Sequence, residues 1–344
     1  MTQNITVSPS PHISKPLSTR AVMLDVIIAL VPAVACALIF FRVKAAMLIA
    51  VCVLVAMATE WLCNLARKKP NSLGDLSAAL TGLILALSVS SALPLWTAAI
   101  GSAFSIAIGK MVFGGLGANI FNPAMVGRTF ITASFGILMT TWTVPATLDA
   151  QSNMITAGNQ VQSIPQDSPI HALTQATPLA LSKEAIKSKQ NAAIVNNNLW
   201  QTFIGQTGGC IGETSALAII IGGIYLLIKK TIKFHIPLAV LISAFLIAAI
   251  AWIMNPGAYV SPLIHLTTGG LLFCAFFIAT DPVTSPLTTR GEWLFGLGVG
   301  LLIMLIRIVG EYPEGIMYAI LIMNGFTPLI DRFCKCIPAG GKPK

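Results

Sequence analysis

The fold is decided by a stretch near the N-terminus, which reads VMLDVIIALVPAVACALIFF at 22–41, RVK at 42–44 and AAMLIAVCVLVAMATEWLCNL at 45–65. A helix needs about 20 apolar residues to cross the roughly 30 Å hydrocarbon core of a bilayer. Both apolar runs have that length, and only a short basic connection separates them. The stretch therefore predicts two successive membrane-spanning helices.

The same pattern continues along the chain. About ten apolar runs are long enough, or nearly so, to span a membrane. The sequence therefore predicts an all-α polytopic membrane protein of about ten transmembrane helices. The runs are Val22–Phe41, Ala45–Leu65, Ser77–Leu93, Leu95–Val112, Phe121–Trp142, Ser215–Ile228, Ile236–Met254, Leu263–Ala279, Trp293–Ile308 and Ile316–Ile330.

Composition supports this interpretation. Of the 344 residues, 55% are hydrophobic and 10% are charged, whereas soluble domains carry about 25% charged residues. These values exclude a disordered chain and argue against a soluble cytosolic enzyme. The formal net charge is +9, but the basic residues lie in short connections between apolar runs. They indicate membrane orientation and contact with membrane lipid, and we expect no nucleic-acid partner.

Basic residues also predict the orientation of the spans. With a cytoplasmic start, most connections rich in Lys and Arg fall on the inner side, which favours two cytoplasmic termini. The predicted inner residues are Lys15, Arg20, Arg67, Lys68, Lys69, Lys110, Lys229, Lys230, Lys233, Arg290, Arg332, Lys335, Lys342 and Lys344. The predicted divisions are a membrane half at 1–142, an outer loop at 143–212, a second membrane half at 213–333 and a cytoplasmic tail at 334–344.

Cysteine and histidine spacing gives no indication of a metal centre or of a catalytic triad. The seven cysteines are dispersed, mostly within apolar runs, and the four histidines are scattered. No pair has the spacing of zinc or iron–sulfur ligands. We therefore expect neither a protein-held metal nor catalytic side chains.

The outer loop contains Thr177 directly before Pro178. Proline restricts the preceding residue to an extended backbone and can begin a helix. Thr177 would then lie at a helix N-terminus, where backbone N–H groups favour a phosphate. An ordinary turn or helix cap explains the same dipeptide, so the residues alone leave both interpretations open.

A family resemblance distinguishes between them. Thr174-Gln-Ala-Thr177 resembles the flavinylation motif, [Ser/Thr]-x-Ala-Thr, of the D subunit of Rnf-type electron-transport complexes and of the homologous B subunit of the sodium-pumping NADH:quinone reductase. Five further segments match the family in order. They are Ser10–Ile13 with Met23–Val26 and Ala29–Pro32, Gly114–Gly117 with Asn119 and Phe121–Gly127, Gly209–Ala216, Ala279–Pro286 and Asn324–Asp331.

The resemblance implies a redox-driven ion translocase subunit of the bacterial inner membrane, active only with the other Rnf subunits and coupled to Na⁺ or H⁺ movement. It implies that Thr177 carries FMN as a phosphoester, attached by a separate flavin transferase. His171 occupies the position six residues earlier, where the family often has an acid. Some members also hold riboflavin noncovalently, for which the sequence identifies no residues.

Three polar residues, Glu213, Thr214 and Ser215, precede the sixth predicted span. Together with Thr174 they are candidates for contact with the flavin. The alternative is that Thr214 or Ser215 caps the following helix.

Polar residues within the spans or at their ends give candidates for an ion path, namely the ionisable Asp281 and Asp25 and the amide Asn122. Charges are costly inside a bilayer and usually face a partner or an ion path. Asn122-Pro123 and Asp281-Pro282 interrupt apolar runs, as in the broken helices that line ion sites. A simple proline kink is the alternative, and Asp25 and Glu60 would also suit the membrane interface.

The segments 73–78 and 211–216 resemble each other and enter their spans from opposite sides, which favours inverted five-helix repeats. The predicted topology puts Asn122 and Asp281 on one side, so these two are not inverted mates. Broken helices and an inverted repeat would equally suit a small-solute secondary transporter or channel. The outer threonine motif distinguishes the two functions, because a solute channel has no need of it. A flavin-free scaffold subunit is a third alternative.

Overall fold

The computed structural model of the chain describes residues 18–142, 203, 209–256, 259–310, 312 and 314–335. Within these residues the chain is helical. It contains no strand there, and its one isolated antiparallel bridge joins Ser90 to Cys210. The all-α part of the predicted fold class is confirmed.

Helix α1 covers Thr19–Ala66 and is broken at one residue. At its start, Ser18 Oγ accepts a hydrogen bond from the Ala21 N–H at 3.2 Å, which satisfies a free donor. Arg42 has φ 51° and ψ −131°, outside the helical region. It lies in the connection between the first two predicted spans, which form the two arms of α1 at 19–41 and 43–66.

The remaining helices are shorter. A 3₁₀ turn at Leu73–Asp75 precedes α2, and wider π-helical turns at Ala107–Met111 and Cys274–Ile278 extend α3 and α9. In order, the helices are α2 (Ser77–Leu87), α3 (Leu95–Ile106), α4 (Pro123–Ser134), α5 (Gly136–Thr140), α6 (Ala216–Ile228), α7 (His235–Met254), α8 (Pro262–Thr267), α9 (Leu271–Phe273), α10 (Thr289–Ile308) and α11 (Ile316–Phe333).

Three of the described helices are long and apolar enough to cross a membrane: α1, α7 and α10. Other predicted spans contain breaks, since α2 ends at Leu87 and residues 268–270 separate α8 from α9. Non-helical backbone at membrane depth is tolerated where protein surrounds it. The number of ten full spans and the inverted repeat stay predictions.

The packing is that of a membrane protein, with apolar surface and charged interior. Leu54 is 65% exposed and Ile253 is 71% exposed, whereas Glu60 and Lys110 are 0% and 1% exposed. In water this distribution would be reversed. The apolar faces suit lipid, and the buried charges must find partners within the bundle.

The end of α2 is joined to the segment that leads into α6. The Ile211 N–H donates to Val89 O at 3.0 Å, and the Gly212 N–H donates to Leu87 O at 2.8 Å. Ser90 Oγ donates to Thr141 O at 2.5 Å. We call this contact between residues 87–90, 141 and 210–212 the junction. It brings both flanks of the stretch 143–208 to one place.

Helices α1 and α6 cross closely at Gly222. A Cβ atom there would lie 2.1 Å from Ala29 O and 2.9 Å from Phe277 Cζ. Small residues allow this approach between membrane helices. We expect Gly222→Ala to force the helices apart and destabilise the protein by about 1–3 kcal/mol, measured by thermal unfolding in detergent. Gly136→Ala, with no atom within 4 Å of its Cβ, is the control and should unfold like the native chain. Equal stability of both variants would contradict the close packing.

Candidate functional site

The residues of the flavinylation motif, Thr174 and Thr177, lie outside the described residues, as does His171. Their assignment from the sequence stays a prediction. The flanks of that stretch are described, and both reach the junction, through Thr141 on one side and Cys210 on the other.

The main candidate site among the described residues is a cavity between the two halves of the chain. It encloses about 740 Å³ of space between atoms, part of which is open to solvent. Its apolar walls include Leu80, Ile84, Leu226, Phe276 and Phe277. The polar residues that line it are Ser77, Thr81, Lys110, Asn119, Asn122, Thr231, Thr280 and Asp281.

Asn122 and Asp281 meet at this cavity. Asn122 Oδ1 caps α4 by accepting from the Ala124 and Met125 N–H groups, and Asn122 Nδ2 donates to Asp281 Oδ2 at 3.4 Å. Pro123 is the first residue of α4, where proline needs no N–H partner. Asn122-Pro123 therefore begins a helix and does not kink one, and the two predicted ion-path residues are neighbours.

A second asparagine connects this group to α11. The Asn122 N–H donates to Asn324 Oδ1 at 3.1 Å, and Asn324 Nδ2 donates to Thr284 O at 3.2 Å. Asp281 also accepts from Thr284 Oγ1 at 3.2 Å. Oxygen atoms from both halves of the chain thus converge beside the cavity. The sequence analysis named Asn324 only as the first residue of the family segment Asn324–Asp331 and did not predict its contact with Asn122.

Asp25, the third predicted ion-path residue, does not join this group. Its carboxylate accepts from Tyr225 Oη at 3.4 Å and from Thr231 Oγ1 at 3.3 Å. Thr231 lines the cavity, so Asp25 lies behind another part of the same wall.

Asn119 offers an unused acceptor at the cavity. Its Nδ2 donates to Phe121 O at 3.2 Å, but its Oδ1 is buried and has no partner among the described residues. A buried acceptor without a donor is costly. A planar ligand with an N–H donor, such as an isoalloxazine ring, fits the combination of this atom with the Phe276 and Phe277 walls.

The residues before α6 have divided roles. Ser215 Oγ accepts from the Ala218 N–H at 3.3 Å, so the capping interpretation holds for this residue. Thr214 is buried. Glu213 points into a cluster of charges and accepts from Arg128 Nη1 at 3.2 Å.

This charge cluster consists of Arg128, Arg307, Glu213, Glu314 and Cys210. Arg128 Nη2 donates to Glu314 Oε2 at 2.8 Å and contacts Cys210 Sγ at 3.3 Å. Arg307 lies 3.7 Å from Glu314. Arg128 and Arg307 lie within the predicted spans Phe121–Trp142 and Trp293–Ile308, whereas Glu314 lies in no predicted span and was missed. The requirement that a buried arginine find an acidic partner was the signal for it.

The charge cluster also holds the break between α8 and α9. Arg307 donates to His265 O at 2.6 Å and to Thr268 O at 3.1 Å, and the Gly270 N–H donates to Glu314. These groups satisfy carbonyls and an N–H that the break removes from helical pairing.

Three atoms of the charge cluster, from Cys210, Glu213 and Glu314, lie within 4.8 Å of one another, as metal ligands would. Arg128 contacts all three side chains. Its guanidinium supplies the positive charge that a cation would bring, so we interpret the group as an ion-pair cluster.

Comparison with known proteins gives the family. The sequence model of the NQR2, RnfD, RnfE family matches residues 6–340. The chain is 40% identical over 335 residues to the D subunit of the Na⁺-translocating ferredoxin:NAD⁺ oxidoreductase complex of Acetobacterium woodii, covering 96% of this chain and 94% of the relative.

Two further relatives have similar coverage. The D subunit of the proton-translocating ferredoxin:NAD⁺ oxidoreductase complex of Clostridium ljungdahlii is 38% identical over 97% of this chain and 96% of its own length. The D subunit of the ion-translocating oxidoreductase complex of Stutzerimonas stutzeri is 38% identical over 92% of this chain and 91% of its own length. The family match and these identities extend over nearly the whole sequence, and the chain belongs to the NQR2, RnfD, RnfE family.

Proposed function

We propose that this chain is the D-type membrane subunit of an Rnf complex and relays electrons through an FMN that is joined to Thr177 by a phosphoester. The observation that carries the proposal is the sequence Thr174-Gln-Ala-Thr177 in a member of this family. Its relatives are named as subunits of ion-translocating oxidoreductases. Electron transfer would be coupled to Na⁺ or H⁺ movement, and the other subunits would supply the remaining redox partners.

The flavin supplies the redox chemistry when bound, and the protein supplies its placement. A phosphoester leaves the ring system of the flavin unchanged, and the tether prevents loss by dissociation. The positive-inside rule would put the basic connections at 67–69 and 229–233 in the cytoplasm. Thr177 would then lie on the outer side of a bacterial inner membrane, where a flavin transferase would attach the FMN.

A mass measurement tests the proposal. The full chain, produced together with the flavin transferase of its own complex, should give a Thr177 peptide heavier by one FMN minus one water. An unmodified peptide from such material would contradict the covalent linkage. It would leave the solute transporter and the flavin-free scaffold as the remaining functions.

We propose further that the cavity holds a second, noncovalent flavin, for which riboflavin is the candidate. The unpartnered Asn119 Oδ1 and the aromatic side chains of Phe276 and Phe277 in the lining support this. Asn119 would accept the N–H of the ring, and Phe276 and Phe277 would exclude water from its faces. Acid denaturation of purified protein should release riboflavin.

The ion path would pass the group formed by Asp281 and Asn122. A carboxylate oxygen is a suitable ligand for a hard cation, and Asp281 can also carry a proton. Thr284 Oγ1 and Asn122 Nδ2 hold the carboxylate in place. Asp25, near Thr231, would be a second acidic group along the same wall.

We expect Asp281→Asn to retain the fold, because asparagine has the same shape and its amide oxygen can still accept from Thr284 Oγ1 and Asn122 Nδ2. We expect it to lower coupled ion transport about tenfold or more. The measurement is redox-driven Na⁺ or H⁺ flux in proteoliposomes containing the whole complex. Asp331→Asn is the control, since it removes a carboxylate that is not part of the cavity lining. The Asp331 carboxylate accepts from the Leu287 N–H. Normal coupling in Asp281→Asn would exclude Asp281 from the ion path.

A further inference from the structure

A buried ion pair lies beside the cavity, formed by Lys110 and Glu60. Lys110 Nζ donates to both oxygens of Glu60 at 2.9 Å and to Ser77 Oγ at 2.5 Å. An ammonium group has three donors, and these contacts use all of them. The charged end of Lys110 is therefore fixed in one position.

The π-helical turn at Ala107–Met111 places Lys110 on the buried side of its helix. Such turns change the helical register and are frequent at functional sites. The turn also brings Gly109 against α4, where a Cβ would lie 2.9 Å from Pro123 Cα. The position of Lys110 next to the Asn122-Pro123 segment follows from this close contact.

The ion pair is oriented relative to the cavity. Lys110 and Ser77 line the cavity, and Glu60 lies behind Lys110, outside the lining. From its other side Glu60 accepts from Ser72 Oγ at 2.5 Å, and Ser72 accepts from Asn64 Nδ2 at 2.8 Å. The positive end of the pair therefore lies closer to the cavity than its negative end.

Other charged groups surround the pair. Asp75 accepts from Ser77 Oγ at 2.5 Å, and Arg67 donates to Met111 O at 2.7 Å. Asp281 also lines the cavity, and Asp25 accepts a hydrogen bond from Thr231, another lining residue. Lys110 is the cationic residue in the described cavity lining, so it sets the positive potential there.

We propose that Lys110 is a positioning charge that favours negative charge on a redox ligand in the cavity, with Glu60 as the counter-charge that fixes it. This inference rests on the proposed riboflavin in the cavity. Two electrons from a reductant and one proton from water leave one net negative charge on such a ligand. Lys110 would stabilise that charge by Coulomb attraction at short range.

The orientation of the pair predicts an order of reduction potentials. Glu60→Gln leaves Lys110 uncompensated, so the riboflavin becomes easier to reduce than in the native chain. Lys110→Met leaves the Glu60 carboxylate, so the riboflavin becomes harder to reduce. Each change should alter the reduction equilibrium on the order of tenfold. The neutral double variant lies between the native chain and Lys110→Met.

The experiment is a redox titration of riboflavin bound to the full-length chain in detergent, followed by its absorbance. Thr177→Val is present in every sample, so that a covalent flavin does not contribute. Lys68→Met is the control, because Lys68 is an exposed basic residue in the connection between α1 and α2. This variant should leave the reduction potential of the riboflavin unchanged. The double variant buries no unpaired charge, which guards against the folding failure expected of a single variant.

The outcomes separate this inference from the one on which it depends. If the native chain binds no riboflavin, the cavity occupant is wrong, and the role of Lys110 is rejected with it. If riboflavin binds, but the double variant and every folded single variant keep the native potential, only the role of Lys110 is wrong. Potentials in the predicted order, with Lys68→Met unchanged, support the inference.

Discussion

Thr177→Val is expected to abolish covalent flavin fluorescence from the denatured chain. Valine has nearly the shape of threonine but lacks the hydroxyl that would form the phosphoester, so the FMN has no attachment point. The measurement is flavin fluorescence of the protein band after denaturing electrophoresis, with the flavin transferase coproduced. The native chain should fluoresce, and the variant should be dark at equal protein load.

A matched control lies in the same stretch of sequence. Thr156→Val removes a hydroxyl outside the motif, and this variant should fluoresce like the native chain. Fluorescence that persists in Thr177→Val would move the attachment to another residue. A dark native chain would reject the linkage altogether.

Arg128→Met is expected to destabilise the protein more than any other single change at the charge cluster. Arg128 contacts Glu213 at 3.2 Å and Glu314 at 2.8 Å, and these carboxylates are only 3% and 13% exposed. Removing one partner of a buried ion pair costs about 3–5 kcal/mol, because the remaining charge is left without compensation. Thermal unfolding in detergent should show a large decrease in midpoint.

Two further variants serve as the control and as the compensating change for Arg128→Met. Arg290→Met removes an exposed arginine and should change stability by less than about 0.5 kcal/mol. Adding Glu213→Gln to Arg128→Met removes one of the unpaired charges and should recover part of the loss. A stable Arg128→Met variant would show that Arg307, 3.7 Å from Glu314, compensates for both carboxylates alone.

The sequence predicted most helices because apolar runs of bilayer length have few alternatives. It did not predict where they end. The predicted span at 77–93 continues through the serines at 88, 90 and 91 to Leu93, yet α2 ends at Leu87, where the Leu87 and Val89 carbonyls accept from the Gly212 and Ile211 N–H groups. Such a stop depends on residues more than one hundred positions away, which no local pattern contains.

The sequence likewise predicted some residues of the candidate site and not others. Polar residues before prolines that interrupt apolar runs led to Asn122 and Asp281, which the structure brings to one cavity. Lys110 was assigned to an inner connection from its charge and position, but it is 1% exposed and paired with Glu60. A basic residue near the end of an apolar run has the pattern of an interface residue, and only the acid fifty positions earlier reveals otherwise.

The junction has a consequence for the evolution of the chain. Residues 141 and 210 both reach the end of α2, so the intervening stretch leaves and re-enters the bundle at neighbouring points. Closing a loop between fixed neighbours costs only about 0.6 kcal/mol more for each doubling of its length. Insertions, deletions or exchange of this stretch would leave the helices undisturbed. This stretch could therefore diversify, or be lost, while the membrane scaffold is inherited unchanged.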